Sequence, residues 1–259
     1  MGLLMYSELK TAIRCVGNDV MKCREQGITE GQWIGTQYKA EADLIANEIL
    51  TKKLKKILDI PIISEEDNLS HCEERPHKYW LIDPIDGTAS YAEGFSGFVC
   101  QAALMEFKQP QMAAVYAPAQ DKLYMAYRGK GATVNGLRIN VREFSRKNLI
   151  IVDNFPQPRG IASIVFHGLH CKQYLESGSI GLKICLVAEG LADIFVKNVP
   201  VKDWDLAAPH LILEEAGGKL TLISGKEINY KGSYKKNGLI AVSSSALLSD
   251  ILNTVSETG

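Results

Sequence analysis

The stretch Trp80-Leu81-Ile82-Asp83-Pro84-Ile85-Asp86-Gly87-Thr88 decides how the chain reads. An apolar run ends abruptly in two carboxylates, a proline and a glycine. Trp80 to Ile82 reads as the end of a buried strand, and Pro84 and Gly87 impose a turn after it. Asp83 and Asp86 are held in that turn at a spacing of three. Two acids at the tip of a buried strand repel each other and lose hydration unless a positive charge stands between them. A metal ion is the simplest such charge, so the turn is the expected reaction centre.

The same logic recurs elsewhere. Pro61-Ile62-Ile63 is a short strand ending in Ser64-Glu65-Glu66-Asp67. Trp204 to Ala216 reads as a helix with Asp205 in its first turn and Gly217-Gly218 at its end. Each acid alone has an ordinary explanation as a solvated turn, a turn-former or a helix N-terminal charge. Three clusters together, two of them after buried strands, point to a cation. The donors are all oxygen, with no His or Cys at ligand spacing, which favours Mg²⁺ or Mn²⁺ over zinc. So many carboxylates suit two or more ions, which can activate water and stabilise an in-line displacement at phosphorus. Thr88 adds a hydroxyl, and the N–H groups of Gly87 and Thr88, at the start of a helix, would point at a phosphate. The expected chemistry is phosphoryl transfer to water.

The 259-residue chain suffices for one large domain or two small ones. Hydrophobic residues make up 46% and charged residues 23%, a soluble globular profile. A net charge of -1 gives no bulk attraction for a nucleic-acid polymer or an anionic membrane. An anionic substrate must therefore be handled locally. Neither a signal peptide nor a run long enough to span a membrane is found. Cys15, Cys23, Cys72, Cys100, Cys171 and Cys185 are scattered, so free thiols and a cytoplasmic location are expected.

Met5 to Gln26 carries Leu9, Ile13, Val16 and Val20 at helical spacing, closed by Gly27. Glu30 to Lys39, rich in Gly and Gln, reads as a mobile loop. Ala42 to Leu58 is a helix with Leu44, Ile45, Ile49, Leu50, Leu54 and Ile57 on one side and a solvated lysine face on the other. Thr88 to Ala92 begins a short helix. Val99 to Phe107, Met112 to Ala117 and Lys122 to Ala126 form a meander, and Gly129 to Gly136 a further hairpin. Leu149 to Val152, Ala192 to Val196, Leu220 to Ile223 and Leu239 to Val242 are strands. Gly181 to Glu189 is a buried helix, and Ala246 to Val255 closes the chain. The proline-containing loop Asn154 to Gly160 is the expected boundary between two halves, 1–153 with the acidic turn and 154–259 with Trp204-Asp205, joined as one catalytic unit. The class is α/β or α+β in layers.

Asp83-Pro84-Ile85-Asp86-Gly87-Thr88, with Trp204-Asp205-Leu206-Ala207-Ala208 and Glu65-Glu66, resembles the inositol monophosphatase superfamily of Mg²⁺-dependent, lithium-sensitive phosphomonoesterases. The resemblance implies a layered α/β/α/β sandwich of the inositol monophosphatase and fructose-1,6-bisphosphatase type, often a homodimer. It implies that Glu65, Asp83 and the Ile85 carbonyl hold one metal, that Asp83, Asp86 and Asp205 hold a second, and that Glu66 lies near a third, weaker ion. Glu65 and Thr88 match the pair that holds the attacking water, with Asp43 as partner of the threonine. Asp86, Gly87, Thr88, Lys183 and Asp205 match positions that meet the substrate.

Within the superfamily, Ser64 to Asp67, Val115-Tyr116-Ala117-Pro118 and Ser179 to Gly190 are similar to the CysQ-like 3'(2'),5'-bisphosphate nucleotidases. Lys183 suits a second phosphate, for which an inositol site has no use. Asn198 stands where inositol phosphatases usually carry an acid. Three features depart from the CysQ-like pattern or from many members. Pro209 replaces a common Gly, Tyr91-Ala92-Glu93-Gly94 is closer to inositol or histidinol phosphatases, and Asp153 to His170 lacks Ser-Arg-Ser-His, with Arg159 and His167 nearby instead. The expected reaction removes the 3'-phosphate of adenosine 3',5'-bisphosphate, the partner being a small phosphorylated metabolite. The alternatives are inositol monophosphate, fructose 1,6-bisphosphate or histidinol phosphate at the same site, and a non-catalytic binding or regulatory module.

Overall fold

The computed structural model describes residues 2–34 and 37–256, by backbone alone at 32–34 and 37–39. The chain opens with α1 (Gly2–Glu25), a hairpin of β1 (Gly31–Ile34) and β2 (Gln37–Ala40), and α2 (Glu41–Ile57). The hairpin stands where a loop is expected over Glu30 to Lys39; residues 35 and 36 of that stretch lie outside the described residues. Trp33 and Tyr38 are register partners in it, and aromatic residues favour strands against a Gly- and Gln-rich background.

Leu9, Ile13, Val16 and Val20 are buried on α1, as their spacing predicts. On α2 the buried stripe is Ala42, Asp43, Ala46, Leu50 and Leu54, while Leu44, expected inside, is 60% exposed. The small Ala42 and Ala46 face inward and carry Asp43 with them, which turns Leu44 outward.

The next strands are β3 (Ile62–Ser64), β4 (Lys78–Asp86), β5 (Val99–Glu106), β6 (Gln109–Ala117), β7 (Lys122–Tyr127), β8 (Gly131–Val134) and β9 (Leu137–Ile139). They form a seven-stranded sheet in sequence order, β3 parallel to β4 and the rest antiparallel. The short helix α3 (Thr88–Ala92) lies between β4 and β5. There follow β10 (Ile150–Asp153), α4 (Gly160–Gly168), β11 (Gln173–Glu176), α5 (Ile180–Ala188), β12 (Ile194–Lys202), α6 (Asp203–Glu215), β13 (Lys219–Thr221), β14 (Lys235–Val242) and α7 (Ser245–Ser256). These strands make a second sheet of order β11-β10-β12-β14-β13.

Helices α1 and α2 pack on one face of the larger sheet, and α5 and α6 fill the space between its other face and the second sheet. The layered α/β/α/β sandwich is as expected; α4 and α7 add a helical layer outside the second sheet. No helix among the described residues is long and apolar enough to cross a membrane. All six cysteines are free, with Cys15 and Cys72 half-buried and the rest buried.

Because both faces of the larger sheet are covered, its strands show no polar alternation. On β5, Cys100, Ala102 and Leu104 pack toward α1 and α2, whereas Val99, Ala103 and Met105 pack toward α5 and α6. The same period of two sends Trp80 and Ile82 one way on β4 and Tyr79 and Leu81 the other. Asp83 follows Leu81, so it faces the buried layer that holds α6.

Candidate active site

The acidic stretch is not a turn but the end of β4. The strand runs on through Asp86 with a bulge: Asp83 pairs with Gln101 and Asp86 with Val99, so three steps on β4 match two on β5. Residues three apart on a regular strand face opposite sides. The extra residue turns Asp86 back to the side of Asp83. Pro84, which has no N–H for the ladder, falls in this irregular stretch. Gly87 then adopts a left-handed φ of 92° and opens α3. A side chain at Gly87 would also bring a Cβ within 3.0 Å of the Gly97 carbonyl.

Glu65, Asp83 and Asp205 each place a carboxylate oxygen within 4.8 Å of the others. Parallel pairing of β3 with β4 sets their acidic tips side by side. Asp205 arrives from the first turn of α6, where its Oδ2 accepts the Lys202 N–H at 2.7 Å. With Ile85, Asp86, Gly87 and Thr88 these acids line a cleft of about 260 Å³. Asp86 Oδ2 accepts from Ser179 Oγ and from the Gly181 N–H, both at 2.6 Å. Ser179 Oγ also accepts the Leu182 N–H at 3.0 Å, capping α5. Asp43 stands behind Thr88. Its Oδ2 accepts the Ala40 N–H at 2.7 Å and its Oδ1 is 3.1 Å from Thr88 Oγ1, itself 3.0 Å from the Ile85 carbonyl. Glu66 is not among the residues lining the cleft, although its charge reaches Asp83.

Asp83 is 1% exposed, and its Oδ1 has no hydrogen-bond partner. Burial, then the charges of Glu65, Asp86, Asp205 and Glu66, push its pKa well above the ordinary carboxylate range. Asp205 is pushed the same way by burial, Glu65 and Asp86, against the pull of the Lys202 N–H. A buried carboxylate with an unused oxygen, close to two further carboxylates, is what a hard divalent cation satisfies. The residues fit such an ion.

Lys183 is fully buried and lines the same cleft. Its Nζ donates to Asn154 Oδ1 and lies 4.8 Å from the centre of the Phe195 ring. Burial, then Lys197, lower its pKa to about 7, with Asp153 and Asp86 opposing. Arg159 and His167 are not among the lining residues. Arg159 stands at the N-cap position of α4 with its guanidinium over Phe155, and His167 meets Phe166 edge-on. Asn198 is exposed and also outside the lining.

Ser179, Asn154 and Lys197 line the cleft without having been singled out from the sequence. Ser179 carried a signal, since a serine before an apolar helical run is a cap. Lys197 ends the apolar run Ile194-Phe195-Val196, the basic counterpart of the acid-tipped strands. Asn154 carried none.

The chain is 31% identical over 239 residues to the 3'(2'),5'-bisphosphate nucleotidase CysQ of Buchnera aphidicola subsp. Acyrthosiphon pisum, covering 87% of each. It is 29% identical to the Nus factor SuhB of Vibrio cholerae serotype O1, across 98% of both. Among solved structures, the Thermotoga maritima IMPase superposes with a TM-score of 0.81 at 26% identity, over 100% of both chains. The sequence profile of the inositol monophosphatase family matches residues 10–259, and the chain belongs to that family of metal-dependent phosphatases.

Proposed function

We propose that the protein is a Mg²⁺-dependent phosphomonoesterase that removes the 3'-phosphate of adenosine 3',5'-bisphosphate. The observation that carries the substrate is Lys183, a wholly buried cation in the cleft of the acids. A buried ammonium is costly unless an anion stands by it. A second phosphate on the substrate supplies that anion; an inositol monophosphate does not. Likeness to the Thermotoga maritima IMPase favours inositol monophosphate as a second reading, and the exposed Asn198 counts against it.

Glu65, Asp83 and the Ile85 carbonyl would hold one ion, Asp83, Asp86 and Asp205 a second, and Glu66 would border a third. Bound there, Mg²⁺ or Mn²⁺ neutralises phosphoryl oxygens and acidifies water. The side chains do the rest. Thr88 gives its hydroxyl hydrogen to Asp43 or to the Ile85 carbonyl, leaving an Oγ1 lone pair free to accept from the attacking water. Glu65 takes the proton of that water. Gly87 and Thr88 contribute backbone N–H groups to the phosphate, and Lys183 with Lys197 holds the second one. The bond from phosphorus to the 3'-oxygen breaks, and that oxygen takes a proton from solvent as it leaves, giving inorganic phosphate and the nucleoside 5'-phosphate.

Asp43→Asn tests the water's partner. The Asn carbonyl must still accept the Ala40 N–H, so its NH₂ turns to Thr88, which must then accept from it, give its own hydrogen to the Ile85 carbonyl and keep one acceptor site for the water. Steady-state kinetics at saturating Mg²⁺ should show kcat down about 100-fold with KM little changed. A kcat within twofold of wild type contradicts the role.

The substrate is tested by phosphate release from adenosine 3',5'-bisphosphate, inositol 1-phosphate, fructose 1,6-bisphosphate and histidinol phosphate, with and without lithium. The nucleotide should be fastest and lithium should inhibit. Faster release from inositol 1-phosphate would remove the weight placed on Lys183.

A further inference from the structure

Two residues before Asp205, in the same first turn of α6, Asp203 is fully buried between two cations. Arg75 Nη2 stands 2.5 Å from its Oδ2 and Lys236 Nζ 3.3 Å from its Oδ1. Both are charge contacts rather than aligned hydrogen bonds. Arg75 aims its aligned donors elsewhere, at the carbonyls of Tyr230 at 2.9 Å and Gly232 at 3.1 Å. Its guanidinium lies 4.0 Å over the Tyr234 ring. Three segments thus meet on Arg75: the connection that leaves Glu65, the start of α6 and the loop before β14.

A second path joins the same segments. His71 Nε2 is 2.7 Å from the Ser64 carbonyl, and its ring stacks on Trp204 with centroids 4.8 Å apart. Ser64 precedes Glu65 and Trp204 precedes Asp205. The acids of the cleft are therefore tied together from behind, through side chains that never enter it.

A buried ion cluster is a weak source of stability, because desolvation offsets most of the attraction. What it can fix is geometry. Asp205 has one oxygen committed to the Lys202 N–H, so its other oxygen points wherever the first turn of α6 points. We propose that Arg75 is a positioning residue for the metal centre: through Asp203 it sets the first turn of α6 and hence the place of Asp205 against Glu65 and Asp83. The inference rests on the reading of those acids as metal ligands. Groups one step behind a ligand commonly change metal affinity by about 10–100-fold when removed.

The test is Mn²⁺ binding to the intact, substrate-free protein, followed by electron paramagnetic resonance. Arg75→Met leaves the buried Asp203 with Lys236 alone and can fail to fold, so the decisive variant is Arg75→Met/Asp203→Leu, which replaces the pair by apolar volume and leaves Lys236 Nζ on the Ser233 carbonyl at 2.6 Å. It should melt close to wild type yet bind Mn²⁺ at least about tenfold more weakly, with kcat largely restored at saturating Mg²⁺. Arg75→Lys keeps the charge and loses the planar fork, and should weaken binding about threefold; it decides the matter if the double variant does not fold. Wild-type Mn²⁺ affinity in the folded double variant, or in Arg75→Lys in its place, overturns the proposal. A wild-type protein that binds no Mn²⁺ would remove the metal reading, and this proposal with it.

Discussion

Asp83→Asn should abolish turnover while making the metal-free protein more stable. The two effects share one cause. Asp83 is buried with an unpartnered oxygen, and burial together with Glu65 holds its pKa far above the ordinary range. In the absence of a cation, ionising it works against the fold. An amide keeps the shape and removes the charge, so the repulsion disappears and the thermal midpoint rises, by about 2–4 °C for each kcal/mol relieved in a chain of this size. The same charge is what the proposed metal ligand must supply. Hydrolysis of phosphate monoesters needs accelerations of up to about 10²¹-fold, so losing a proposed metal ligand should lower kcat by about a thousandfold or more. A variant that keeps a tenth of wild-type activity contradicts the assignment. The pH dependence has a definite sign. The folded state holds the Asp83 proton above the pH at which the unfolded chain releases it, about 3.9. Stability of the chelated wild type therefore falls as pH rises from there through the raised folded pKa. Thermal melts in chelator should show a shallower fall for Asp83→Asn, with Asp205 still contributing.

Lys183→Met should also raise stability while lowering activity, but only against a substrate that carries a second phosphate. The side chain is fully buried, and burial, then Lys197, lowers its pKa from 10.5 to about 7. That drop corresponds to a penalty on the order of 5 kcal/mol near neutral pH, part of which methionine should return. Between the folded pKa and 10.5 the unfolded chain binds more protons than the folded one. Wild-type stability should therefore rise with pH across that window, and the slope should flatten in the variant. Against adenosine 3',5'-bisphosphate, kcat/KM should fall about 100-fold, the scale of truncating one partner of a buried charge contact. Against a nucleoside 3'-monophosphate it should change by no more than a few fold. An equal fall on both substrates would mean that Lys183 serves the reacting phosphate and not the second one.

The acids were legible in the sequence because two strand tips carry carboxylates after apolar runs and one helix start carries another in its first turn. The layers were legible for a related reason: β4, β5 and β6 are buried on both faces, so they read as continuous apolar runs. The bulge was not. Pro84 and Gly87 signal a break in the ladder, but a turn and a bulge use the same residues, and only the β5 partner distinguishes them. The distinction matters, since the bulge is what puts Asp83 and Asp86 on one side. Leu44 misleads because α2 buries Asp43 to reach Thr88, a polar demand that a hydrophobic pattern does not register. Helix α4 is bounded by glycines and rich in Ile and Val, and β11 is a polar edge strand. The first is only nine residues long and the second lacks apolar alternation, so neither gives a pattern long enough to identify it. Arg75 and Asp203 lie far apart in the chain, in segments whose charges resemble ordinary surface residues until folding buries both.

The most direct test is release of inorganic phosphate from adenosine 3',5'-bisphosphate by the 259-residue protein, measured with Mg²⁺, with chelator, and after Mg²⁺ is restored. Release that requires Mg²⁺, stops in chelator and returns with added metal is the predicted result. No phosphate release with Mg²⁺ or Mn²⁺, from this substrate or from any other of the panel, would contradict the assignment of the acidic cleft as a phosphatase centre.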